Sequence, residues 1–133
     1  MKRRISHTAI ATLLAATFAG AASAGLIECS MTEARISTND VWASVEWYSE
    51  EPTLISFSET GVDEIASAFC HTAQMTYDRV DMDEILVRCE KPDGSVTITV
   101  NRMSGTFWKL MLTNGGENGV ATEGTCATAT RRF

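Results

Sequence analysis

The run Glu84-Ile85-Leu86-Val87-Arg88-Cys89-Glu90-Lys91-Pro92-Asp93-Gly94-Ser95-Val96-Thr97-Ile98-Thr99-Val100-Asn101-Arg102 decides the fold class. Ile85, Val87 and Cys89 alternate with more polar neighbours, and so do Val96, Ile98 and Val100. Such alternation places each set on one face of a strand. Pro92-Asp93-Gly94 between them supplies the backbone angles of a tight turn, so the run is a β-hairpin. Working outward, the same grammar continues in both directions. Strands are expected over residues 73–80, 84–91, 95–102, 106–113 and 120–131. The punctuators are Asp81-Met82-Asp83, Met103-Ser104-Gly105 and the stretch from Asn114 to Gly119.

Upstream, Val41, Ala43, Val45 and Trp47 share one parity and Trp42, Ser44, Glu46 and Tyr48 the other, which fits a strand over 41–48. Glu50-Glu51-Pro52 breaks it, residues 53–58 fit its return, and residues 27–36 fit one strand more. Between 59 and 70 the period changes. Val62, Ile65, Ala66 and Phe69 recur at helical spacing behind Thr60 as N-cap, which predicts a short helix over 62–70 laid on the sheet. The expected fold is all-β, a mainly antiparallel meander forming a small barrel or sandwich, with that one helix.

The first residues set the compartment. Met1-Lys2-Arg3-Arg4 is basic, a short apolar run from Ala9 to Ala19 follows, and Ala22-Ser23-Ala24 is a small-residue exit. That order reads as a secretory signal peptide, 1–24, cleaved after Ala24. The apolar run is too short for a spanning helix. Glu28 before Cys29 argues against a lipid anchor, and Arg3-Arg4-Ile5-Ser6 is a poor twin-arginine signal. The expectation is a single domain, 25–133, free of a membrane anchor and periplasmic or secreted. That segment keeps all 17 acidic residues and loses three of the 11 basic ones, for a net charge of 8 − 17 = −9. Such a balance repels nucleic-acid phosphates and anionic lipids and attracts cationic partners.

Cys29, Cys70, Cys89 and Cys126 are an even set in a small exported chain, which predicts two disulfides. Zinc would ask for closer ligand pairs. Loop entropy does not decide the pairing, at roughly 3–4 kcal/mol for a Cys89–Cys126, Cys29–Cys70 or Cys70–Cys89 closure alike. Strand parity puts Cys89 and Cys126 in one apolar layer, which favours Cys89–Cys126 with Cys29–Cys70.

The motifs for chemistry are sparse. His71 is the one histidine after the signal, so histidine-dependent nucleophilic catalysis would have to use it, and it adjoins Cys70, expected to be oxidised. Asp78, Asp81, Asp83 and Glu84 lack the glycine and the closing glutamate of a calcium loop, and read as a solvated turn. Met31, Met75, Met82, Met103 and Met111 are spaced too irregularly for copper, and no glycine-rich phosphate loop is present. No cofactor, metal site or catalytic residue is expected, and the protein reads as a non-enzyme. On 106–113, parity separates Trp108, Leu110 and Leu112, assigned to the core, from Phe107, Lys109 and Met111, assigned outward. With Ser104 and Gly105 at the neighbouring turn, these form the candidate partner-binding patch, unless the sheet is packed on both sides.

The segment Ile98-Thr99-Val100-Asn101-Arg102-Met103-Ser104-Gly105-Thr106-Phe107, with Gly124-Thr125-Cys126 and the terminal Arg131-Arg132-Phe133, resembles a group of small exported bacterial proteins. Those carry a strand cysteine, an I-x-x-x-R-x-S/T-G turn and a terminal G-x-C…F. The resemblance covers the C-terminal part of the chain and implies no activity. Ser104-Gly105 on a hairpin tip is also similar to the inhibitory loop of small acidic, disulfide-bonded periplasmic proteins that inhibit lysozyme. The expected function is therefore binding of a cationic secreted protein. The alternative is a small barrel carrying an apolar molecule or lipid.

Overall fold

The computed structural model describes residues 24–129. Residues 1–23 of the proposed signal peptide, the last residues of the final strand expectation and the terminal Arg131-Arg132-Phe133 lie outside that span. Ten strands follow in order: β1 (Gly25–Thr38), β2 (Val41–Val45), β3 (Thr53–Ser58), β4 (Gly61–Ser67), β5 (Cys70–His71), β6 (Met75–Val80), β7 (Glu84–Lys91), β8 (Gly94–Asn101), β9 (Thr106–Thr113) and β10 (Asn118–Thr128). They form one antiparallel sheet in the order β5-β4-β3-β1-β10-β9-β8-β7-β6, with β2 beside β1. The meander β6–β10 follows the sequence pattern closely, because each turn carries the residues its geometry needs.

Long β1 organises the rest. Along one side it pairs with β10 over almost its whole length. On the other, its first half pairs with β3 and its second half with β2. The sheet curls into a nearly closed barrel whose seam lies between β4 and β6. Among the described residues no backbone ladder crosses the seam; side chains do. Asp78 on β6 accepts the Val62 N–H of β4 at 2.8 Å, and Thr72 takes both the N–H and the C=O of Ile65. A disulfide from Cys70 on β5 to Cys89 on β7 spans the same seam.

Three expectations are corrected here. Residues 53–58 are not the hairpin return of the strand at 41–45, since β2 and β3 each pair with β1 and not with one another. Residues 62–70 run through β4 into β5, not a helix; among the described residues helical turns are confined to short 3-10 stretches at Thr72–Gln74 and Asn114–Gly116. Val62, Ile65 and Ser67 are buried along β4, whose register against β3 shifts between Ser56 and Phe57, and that bulge imitates a helical spacing. The disulfides are Cys29–Cys126 and Cys70–Cys89, not Cys89–Cys126 with Cys29–Cys70. Parity placed Cys89 and Cys126 on one face correctly but could not say which strands are neighbours. β10 lies between β9 and β1, which sets Cys126 directly opposite Cys29.

The barrel interior is filled. Ile27, Ile55, Phe57, Ile65, Ile85, Val87, Val96, Ile98, Val100 and Phe107 make one buried cluster. Gly124 is required where β10 passes β1, since a Cβ there would lie 1.9 Å from the Ser30 carbonyl oxygen.

Candidate functional site

The β8–β9 register decides the candidate patch. Val96 opposes Met111, Ile98 opposes Lys109 and Val100 opposes Phe107. Directly opposed residues share a face, so the inward set of β8 carries Phe107, Lys109 and Met111 inward with it. The outward assignment of these three is corrected. Phe107 and Lys109 are buried and Met111 packs half-buried against the core, while Trp108, Leu110 and Leu112 lie half-buried on the outer face. The signal was in the turn: with Asn101 opposite Thr106, the four residues 102–105 set the parity of everything after them. Ser104 and Gly105 are where the sequence put them. Asn101 accepts the N–H groups of Met103 and Ser104, the Ser104 hydroxyl meets that of Thr106 at 2.7 Å, and Gly105 has φ 76°. The tip is exposed and held in one shape, with Met103 beside it.

Inside the barrel Lys109 builds a polar cluster that the sequence reading missed. Its side chain is 2 % exposed and its partner Glu50, on the β2–β3 connection, 5 %. Nζ donates to Glu50 Oε1 at 2.7 Å, to Ser67 Oγ at 2.9 Å and to the Ala68 carbonyl at 3.0 Å. Tyr48 donates to the other Glu50 oxygen, and Ser67 meets Thr53 at 2.7 Å. Burial lowers the Lys109 pKa and Glu50 opposes that shift. Burial, the hydrogen bond and the Glu50 charge together raise the Tyr48 phenol well above its ordinary range. The Thr122 hydroxyl, opposite Lys109 in register, is buried and has no partner among the described residues.

A lysine 2.9 Å from a serine invites comparison with a Ser–Lys nucleophile. A general base needs a free lone pair. The three protons of this ammonium meet three acceptors, and Ser67 is itself buried. The arrangement ties the β2–β3 connection to β9 and to the end of β4 with the turn that follows it.

A second cation is hidden at Arg102, 1 % exposed. Nη1 donates to the Asp81 carbonyl at 2.6 Å and the guanidinium stacks over Phe57 at 5.0 Å, while Nη2 is buried without a partner among the described residues. Desolvation lowers its pKa, with Asp81 opposing.

The remaining candidates resolve simply. His71 is exposed and its neighbour Cys70 is oxidised. Asp78 caps Val62, and Asp81 accepts the N–H groups of Asp83 and Glu84 while Arg79 pairs with Asp81 and Glu84. Met75 and Met111 pack on the core; Met82 and Met103 are exposed. Among the described residues, no three His, Cys, Asp or Glu side chains are grouped to hold a metal ion, and no helix is long and apolar enough to cross a membrane. Two disulfides fit an oxidising compartment. Comparison with protein-family models finds no match to this chain, and comparison with curated protein sequences finds none either.

Proposed function

We propose that this is an exported, periplasmic binding protein for a cationic partner, acting without catalysis. One observation carries the reading. Residues 25–133 hold 17 acidic and 8 basic side chains, a net of 8 − 17 = −9. The fold then removes two of those eight cations from the surface, Lys109 together with Glu50, and Arg102 alone. Among the described residues sixteen acidic side chains and four basic ones remain outside, and Arg35 and Arg79 of these four are engaged by carboxylates. A surface of that sign steers basic proteins and repels nucleic acid. With Phe107 and Lys109 inside, a contact at the β8–β9 end falls to Met103, Ser104 and Gly105. The carrier alternative finds no support in the interior, where Phe57, Phe107 and the branched chains pack on one another.

The test is a pull-down with the oxidised protein lacking residues 1–24, from periplasmic extract with lysozyme added, at low and high salt. Retention of a basic protein at low salt that weakens at high salt supports the proposal. No retention at either salt overturns it.

A further inference from the structure

We infer that the free edge of β2 is a docking strand for an extended, cationic segment of a partner protein, which adds to the sheet by backbone hydrogen bonding. This rests on the cationic-partner reading above and names the surface and the form of the partner. Among the described residues β2 pairs with β1 alone, in continuous register from Ala34↔Val45 to Thr38↔Val41. Its other side therefore offers alternate N–H and C=O groups to any strand laid beside it.

Natural edges are guarded by charge, proline, bulges or a covering segment. Val41-Trp42-Ala43-Ser44-Val45 has no charge, no proline and no register shift. It also presents apolar side chains: Val41 is 69 % exposed, Trp42 42 %, and Trp47 just beyond 75 %. The strand is held ready. Asn39 and Asp40 both take positive φ, 51° and 67°, in the two-residue turn from β1. Asp40 N–H donates to the Glu117 carbonyl at 3.1 Å, Asn39 N–H to Asn118 Oδ1 at 3.3 Å, and the Trp42 ring lies over Gly119. A preformed strand adds little ordering cost to binding.

Charge selects the occupant. The strand is bracketed by Asp40 and Glu46, with Glu117 on the adjoining turn. A second copy pairing antiparallel about Ala43 would set Asp40 opposite Glu46 at both ends, and like charges directly opposed are destabilising. A segment with basic residues at its ends converts the same two positions into attractive pairs.

The test uses the oxidised protein and a heptapeptide of alternating valine and threonine with lysine at both ends. A control peptide is N-methylated at two adjacent central residues, which blocks both its edges and keeps its charge. The expected result is binding that tightens at low salt, slowed exchange of amides within 41–45, and at least a tenfold loss with the methylated peptide. The exposed pair Trp42→Ala with Trp47→Ala weakens binding severalfold. Equal binding of both peptides with 41–45 unprotected overturns the edge while the cationic-partner reading stands. No binding of either peptide, with a basic protein still retained in the pull-down, overturns the edge alone; loss of both removes both readings. Self-association through β2 without peptide overturns the proposal in favour of a second copy.

Discussion

Lys109→Met tests how this barrel tolerates charge in its interior. The substitution keeps the length of the side chain and removes its ammonium, leaving the Glu50 carboxylate, 5 % exposed, with Tyr48 as its remaining donor. Breaking a buried pair by removing one partner costs about 3–5 kcal/mol, because the other charge stays desolvated. At about 4 °C per kcal/mol for a domain near one hundred residues, Tm should fall by about 12–20 °C. Adding Glu50→Gln removes the stranded charge and leaves Tyr48 an acceptor. The double variant should return to within about 1 kcal/mol of the parent, since paired removal of buried charges is often neutral. Thermal and urea melts of the four proteins with disulfides intact complete the cycle. A single variant that loses under about 1 kcal/mol, or a double variant as weak as the single, would refute the claim that a stranded carboxylate dominates.

Arg102→Met should cost clearly less than Lys109→Met in the same melts, because the Arg102 side chain donates to the Asp81 carbonyl and its removal strands no carboxylate. Phe107→Ala should destabilise by about 3–5 kcal/mol, as a buried ring does, and leave retention of a basic protein by the remaining folded fraction unchanged. Gly124→Ala should lose on the order of 1–3 kcal/mol in a thermal melt, because the clash is with the Ser30 backbone, which cannot rotate away. Replacing Cys29 and Cys126 by serine frees a separation of 97 residues and replacing Cys70 and Cys89 one of 19. Chain entropy then predicts losses of about 5 and about 3 kcal/mol, read from urea midpoints. At alkaline pH two groups act oppositely. The lowered Lys109 pKa means the unfolded chain holds that proton longer, so its contribution to stability rises with pH from the lowered value up to 10.5. The raised Tyr48 pKa means the folded chain holds its proton longer, so stability falls above pH 10.0. Tyr48→Phe should flatten that fall in melts taken across the range; an unchanged slope would count against the buried phenol.

Most of the strands were legible because hairpin turns are local. Glu84–Lys91 and Thr106–Thr113 follow from alternation and from turn residues within a few positions, and neither needs knowledge of distant chain. The stretch 62–70 was misread for a related reason. A bulge displaces the buried positions along β4 by one, and one displaced position in a short run is enough to imitate a helical period. Trp108, Leu110 and Leu112 looked like the core because they are large and apolar. A chain this small has more such residues than interior, and the outer face takes the surplus, Leu112 lying beside Gly119 and Trp42.

The sequence by itself determined the β class, the turn positions, the even cysteine set and the excess of carboxylates, all of which are properties of composition or of neighbours along the chain. The tertiary structure alone decided which strands are adjacent, and with them the partners of Cys29 and Cys70. It also decided which parity of β9 faces inward, and that Lys109 meets Glu50 across 59 positions. Those depend on a register and a closure that bring together residues far apart in the chain, where no local pattern records the pairing.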